Sequence, residues 1–193
     1  MAGRTRNPER MREALLDAGL RVAERTGLGW LTLDQVVAEA KVAKGSLLHH
    51  FRDRAGYLLA LHRRFHDRVL EEIAAASEGL PPGRERLLRG ATTYLDACLQ
   101  HRGIRALLLE ARAEPQIAAE VLARNAQIAR RVVPDVRALG WPDPPETARL
   151  WVAMVAEAAL VEFAAGGRRA PVRRALEHSW TRDTRVARGD TCR

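Results

Sequence analysis

The sequence predicts an all-α chain of about nine helices, and three observations predict it. Apolar residues recur at helical spacing along most of the chain, as in Leu58, Leu61, Phe65, Val69 and Ile73. Gly and Pro gather between these periodic segments and are scarce inside them. The apolar share is 47% with only 5% aromatic, so Ala, Leu and Val carry the packing.

The first helix opens at Pro8, with Glu9 in its first turn, and carries Met11, Leu15, Ala18 or Gly19, and Val22 on its apolar side. Gly27 is the natural stop. Trp30 and Leu31 lead into Thr32, an N-cap whose capping box is completed by Gln35. Val36, Val37 and Ala40 give that second helix its apolar side. A break at Lys41-Val42-Ala43 precedes a third helix anchored by Leu47 and Phe51, one helical turn apart. Two short helices joined by a turn of three or four residues make a helix-turn-helix, whose second helix enters the major groove of DNA.

At Ala40-Lys41-Val42-Ala43-Lys44-Gly45-Ser46-Leu47-Leu48-His49-His50-Phe51, with Arg54 in the linker, the sequence resembles the tetracycline-repressor (TetR) family of transcriptional regulators. The resemblance covers residues 8–65; beyond them it extends only to helix count and length. Three positions depart from the family pattern. Its turn glycine is Lys41, its capping serine is Ala43, and its backbone-touching tyrosine is Leu48. Glycine tolerates positive φ without steric cost, and a missing serine cap costs about 1 kcal/mol.

With Leu47 and Phe51 turned inward, Lys44, Gly45, Ser46, Leu48 and His49 project outward. Lys44 suits a guanine edge or a phosphate, Gly45 lets the backbone approach, Ser46 donates or accepts, and Leu48 fits a thymine methyl. His49 or His50 suits a phosphate, as do Arg54 at the start of the fourth helix and Thr32 at the second. The expected DNA-binding set is therefore Thr32, Lys44, Gly45, Ser46, Leu48, His49, His50 and Arg54. Arg4 and Arg6 precede it in a polar arm that is either an untied chain end or an added phosphate or minor-groove contact.

Residues 1–52 are expected to form the DNA-binding domain, 53–181 a second helical domain for ligand binding and dimerisation, and 182–193 a charged, disordered tail. Asp53 caps a fourth helix reaching about Ser77. On it His62 and His66 read as a solvated pair rather than metal ligands, since further ligands are lacking nearby. Gly79-Leu80-Pro81-Pro82-Gly83 breaks the chain. A fifth helix over about 84–101 turns Leu87, Ala91, Tyr94, Leu95 and Cys98 inward, and a short sixth over about 104–113 brings Leu107, Leu108 and Ala111. Pro115 opens the seventh, with Ile117, Val121, Asn125, Ile128 and Val132, and Pro134 ends or kinks it. After the rigid Trp141–Pro145 loop, the eighth, over about 146–165, is apolar on two sides. Leu150, Met154 and Val161 mark one stripe; Trp151, Val155 and Ala158 mark the other. Gly166-Gly167 stops it, and a ninth helix from Pro171 carries Val172, Leu176 and Trp180.

The formal charge of +8 favours an anionic partner. Residues 1–52 hold nine Lys/Arg and six Asp/Glu, a net of +3, so charge alone does not locate the binding face. Both lysines of the chain, Lys41 and Lys44, lie in the helix-turn-helix. Cys98 and Cys192 are too few for a metal or disulfide framework, and Cys98 reads as a buried thiol. No secretion signal or membrane span is expected, and the expected location is cytoplasmic.

No phosphate loop, zinc-protease motif or nucleophile elbow is present, so no enzyme and no cofactor is expected. The resemblance implies a repressor that leaves a palindromic operator in double-stranded DNA when a mostly apolar small-molecule effector binds. Candidates for lining its pocket are Leu61, Phe65, Tyr94, Cys98, Leu108, Asn125, Met154 and Glu157. Asn125 is either near an edge or a buried polar group seeking a partner, and Glu157 either an exposed edge residue or a polar anchor. A helix apolar on two sides implies a homodimer, with Trp151, Val155, Ala158, Val172, Leu176 and Trp180 as the expected seam. Two rivals remain: a helical enzyme using Glu110, Glu157 and Tyr94, and a DNA-binding protein whose second domain is filled.

Overall fold

The computed structural model describes residues 8–26, 31–103, 105, 109 and 115–179. Among them stand eight helices: α1 (Pro8–Thr26), α2 (Leu33–Ala40), α3 (Lys44–Phe51), α4 (Arg54–Ala76), α5 (Arg84–Gln100), α6 (Pro115–Ala138), α7 (Pro144–Ala164) and α8 (Ala170–His178). The expected arm with Arg4 and Arg6, the Gly27 stop, Trp30, Leu107, Leu108, Glu110, Ala111, Trp180, Cys192 and the 182–193 tail lie outside the described residues, as does most of the expected sixth helix.

α2 and α4 begin where side chains satisfy their terminal amides. The Thr32 hydroxyl accepts the Gln35 amide at 3.2 Å while the Gln35 side chain accepts the Thr32 amide at 2.9 Å. Asp53 caps α4 by accepting the Gly56 amide at 2.7 Å. The turn between α2 and α3 has neither aid that the sequence withholds. Lys41 sits in the left-handed region at φ 56, ψ 46, and Ala43 makes no side-chain cap. Both departures from the family pattern thus cost stability in this turn.

Two hydrophobic clusters divide the chain. The first joins Leu15, Leu16, Val36, Leu47 and Phe51 to Tyr57, Leu58, Leu61, Phe65 and Val69 of α4. The second joins Leu87, Leu95 and Cys98 of α5 to Val136, Trp151, Val155 and Leu176. Tyr94 packs on both. Most of α4's buried side chains therefore share one cluster with the three helices before it, a cluster that also takes in Ala97 of α5 and Ile117 of α6. The buried Tyr57 hydroxyl donates to the Leu15 carbonyl at 2.9 Å, and a Cβ at Gly19 would overlap that hydroxyl. α1 and α4 cross at close approach, so the start of α4 is packed directly onto α1.

Some expectations are corrected. His62 is 2% exposed and His66 half-buried, because α4 is covered over most of its length rather than showing a solvated histidine face. Of the two outcomes expected at Pro134, an end or a kink, the end is excluded, since α6 runs on to Ala138. The next residue, Asp135, is buried and held by Arg86 of α5 through Nε at 2.6 Å and Nη2 at 2.7 Å. That pair anchors the end of α6 beyond the proline.

Candidate nucleic-acid interface and ligand cavity

On α3, Leu47 is fully buried and Phe51 5% exposed, while Lys44, Gly45, Leu48 and His49 share the exposed side; Ser46 and His50 are half-buried. Leu48 is 42% exposed, an apolar side chain left open on a surface otherwise basic and polar. Nothing lies within 4 Å of where a Cβ on Gly45 would stand, so no contact inside the chain calls for glycine there. Lys44 Nζ lies 2.8 Å from Asp34 Oδ1 on α2.

The helix behind this face is braced. The Arg12 guanidinium stands 5.3 Å from the Phe51 ring centre, and Phe51 meets Tyr57 edge-on at 5.0 Å. Glu39 of α2 accepts from Arg21 Nε at 2.8 Å and Arg25 Nη2 at 2.6 Å, tying α2 to α1. Burial, with the charges of His49 and Arg12, holds His50 below the usual imidazole value. His50 therefore favours its neutral form, in which the ring can offer a hydrogen-bond donor but no charge. Arg54 is exposed at the first turn of α4, where the Gly56 amide is already taken by Asp53. The Thr32 hydroxyl, exposed, accepts from the Gln35 amide and keeps its proton to donate.

A cavity of about 360 Å³ lies among α4, α5, α6 and α7. Val69, Ile73, Leu87, Ala91, Trp151 and Val155 give it apolar walls; His62, His66, Tyr94, Asn125, Arg124 and Arg131 add polar groups. Of the eight pocket candidates, Tyr94 and Asn125 line it. Leu61, Phe65 and Cys98 are instead buried in the two clusters, because the innermost side of a helix is closed by neighbouring side chains. Met154 is 37% exposed and Glu157 exposed on α7, so neither lines the cavity, and Leu108 lies outside the described residues. Glu157 and Tyr94 consequently do not share a site. Arg105, buried, stands 5.9 Å from the Tyr94 ring centre.

The expected seam is also corrected. Trp151, Val155, Ala158 and Leu176 are buried within their own chain, and Val172 is half-buried against them. The other stripe of α7 is open, with Leu150 67% and Val161 39% exposed beside Met154. Two apolar stripes on one helix carry no mark of which faces inward. The sequence reading also passed over the Arg86–Asp135 and Arg173–Glu162 pairs. Their one available signal was an acid on an otherwise apolar helix face.

Residues 15–61 match the family model of bacterial regulatory proteins, tetR family, a span that holds the capped α2, the turn and α3. The chain is similar to a transcriptional regulator from Rhodococcus sp. Rha1 (22% identity, TM-score 0.68, covering 88% of this chain and 91% of that one). It is similar also to a TetR-family transcriptional regulator from Pectobacterium atrosepticum (24%, 0.66, 92% and 92%) and a TetR-like transcriptional regulator from Rhodococcus sp. RHA1 (20%, 0.63, 88% and 93%). These likenesses concern the fold. No curated protein matches the sequence. Among the described residues no helix is long and apolar enough to cross a membrane, and no group of His, Cys, Asp and Glu could hold a metal ion. The chain thus carries a segment at its amino end that matches the tetR-family model, and it shares the fold of these regulators along most of its length.

Proposed function

We propose that the chain acts as a homodimeric repressor that leaves a palindromic operator when a mostly apolar small molecule enters the cavity. The supporting observation is that α4 serves both ends. Its first residue follows the α3–α4 link, and His62, Val69 and Ile73 farther along it line the cavity. A molecule that binds the two positions of α4 with different affinity must, by linkage, also shift affinity for DNA. An open cavity favours this over a regulator whose second domain is filled. In the proposal, residues 1–52 read DNA and 53–181 bind effector and partner. Thr32, His49, His50 and Arg54 meet phosphates, while Lys44, Gly45, Ser46 and Leu48 meet base edges.

The second copy is proposed to cover Leu150, Met154 and Val161 of α7. Two recognition helices joined this way meet successive major grooves if they stand about 34–36 Å apart. The test is a fluorescence-anisotropy titration of the protein on the DNA flanking its own coding region, followed by a screen of small molecules for release. Binding at low salt with release by at least one apolar compound supports the proposal. Binding that no compound reverses refutes its ligand-responsive part.

A further inference from the structure

We propose that the cavity takes a small apolar molecule bearing one anionic headgroup, a carboxylate in the simplest case, held by Arg124 and Arg131. The inference rests on the ligand-responsive reading and names the effector's chemical class.

The charges on the cavity wall do not balance. Its one acid, Asp135, is fully engaged: Oδ1 accepts the Gly83 amide at 2.9 Å and Arg86 Nε at 2.6 Å, and Oδ2 accepts Arg86 Nη2 at 2.7 Å. That fork also satisfies Arg86. Arg124 and Arg131 remain, seven residues apart and so on one face of α6. Arg124, whose side chain is 12% exposed, reaches Asp67 with Nη1 at 2.5 Å and Glu120 with Nη2 at a long 3.4 Å, while its Nε is buried without an acceptor. Arg131 stands exposed at the rim with no partner among the described residues. A buried donor without an acceptor is costly, and a carboxylate satisfies guanidinium donors in a planar fork.

The remainder of the wall is apolar, and the size sets the body of the ligand. About 360 Å³ is a little over twice the roughly 150 Å³ apolar cavity that accepts benzene, which leaves room for a bicyclic ring or a medium alkyl chain behind the headgroup. An anionic headgroup also competes with Asp67 of α4 for Arg124. Occupancy would thereby alter the α4–α6 tie directly, which a neutral molecule of the same shape cannot do.

The test is isothermal titration calorimetry of the full chain at neutral pH with octanoate, 1-octanol and octylammonium. Octanoate should bind at least about tenfold tighter than octanol, the ratio expected of one charged hydrogen-bonded contact. Arg131→Gln, at an exposed side chain outside either core, should bring octanoate to the level of octanol and leave octanol unchanged; Arg124→Gln should do the same. Octanol or octylammonium binding as tightly as octanoate overturns the proposal and leaves the ligand-responsive reading intact. No binding by any of the three at millimolar concentration overturns it too, and the ligand-responsive reading is then judged separately by the release screen. Unchanged octanoate affinity in Arg131→Gln also overturns it, whether or not Arg124→Gln folds.

Discussion

Lys44 of α3 is ion-paired to Asp34 of α2, Nζ to Oδ1 at 2.8 Å, and both side chains are more than half exposed, 58% and 70%. A pair so open to water adds little to stability. In the proposed mode of binding its consequence lies at the DNA, where an acid shares the surface with the lysine assigned to a base edge or phosphate. Asp34→Asn should tighten operator binding several-fold, and Lys44→Ala should weaken it and lower the slope of log affinity against log salt by about one. Anisotropy titrations across a salt series check both, and an unchanged slope in Lys44→Ala removes that residue from the interface.

Gly45 separates folding from recognition. The space around it is empty, and alanine in place of a helical glycine adds up to about 1 kcal/mol of stability. Gly45→Ala should therefore melt higher yet bind operator more weakly, because the added methyl stands between backbone and DNA. Melting and anisotropy on one preparation decide it. Equal affinity would mean the backbone does not approach the duplex at this point.

The turn is improvable. Lys41→Gly relieves a left-handed residue, and Ala43→Ser supplies the missing cap, each expected to stabilise by about 1 kcal/mol. Urea unfolding of the two variants and the pair should show both gains, and a destabilised Lys41→Gly would contradict the strain.

Acid should loosen the joint between α7 and α8. Glu162 is fully buried and accepts from Arg173 Nε and Nη2, both at 2.8 Å, and from the Arg169 amide at 2.8 Å, while Arg173 Nη1 also reaches Asp96 at 2.7 Å. Burial alone would raise the Glu162 pKa; the hydrogen bonds from Arg173 and the Arg169 amide outweigh it and hold the carboxyl below its ordinary 4.5. With the folded value depressed, the contribution is complete above that unfolded value and is lost as pH falls through the folded one. Glu162→Gln should cost about 3 kcal/mol at neutral pH and flatten the fall in stability below pH 4.5. Denaturant midpoints from pH 7 to 3 measure it.

Leu150→Glu with Met154→Glu should convert a dimer to monomers in sedimentation velocity while leaving the helical circular-dichroism signal unchanged, since both side chains are already in water in the single chain. Retained dimers would move the interface elsewhere.

What the sequence made legible was local and periodic. The Thr32–Gln35 box, the Asp53 cap and the inward Leu47 and Phe51 follow from neighbours three or four residues away, and each stands where the pattern places it. What it hid depends on partners far along the chain. Trp151 and Leu150 are adjacent and both apolar, and only the packing of α5, α6 and α8 against α7 sends one inward and leaves the other out. His62 looked solvated because helical spacing reveals a face but not what covers it. Cavity walls are harder still, since the deepest side chains, Leu61 and Phe65, fill space rather than border it.

Selection of bound sequences from random duplex DNA by the full chain tests most directly whether the exposed side of α3 reads bases. The expected result is a two-fold symmetric consensus whose half-sites are centred about 10–10.5 base pairs apart, or a multiple of that. Lys44→Ala and Leu48→Ala should each relax particular positions of it. Enrichment of no sequence at low salt, or the same consensus at equal strength from a chain carrying both substitutions, would contradict the account.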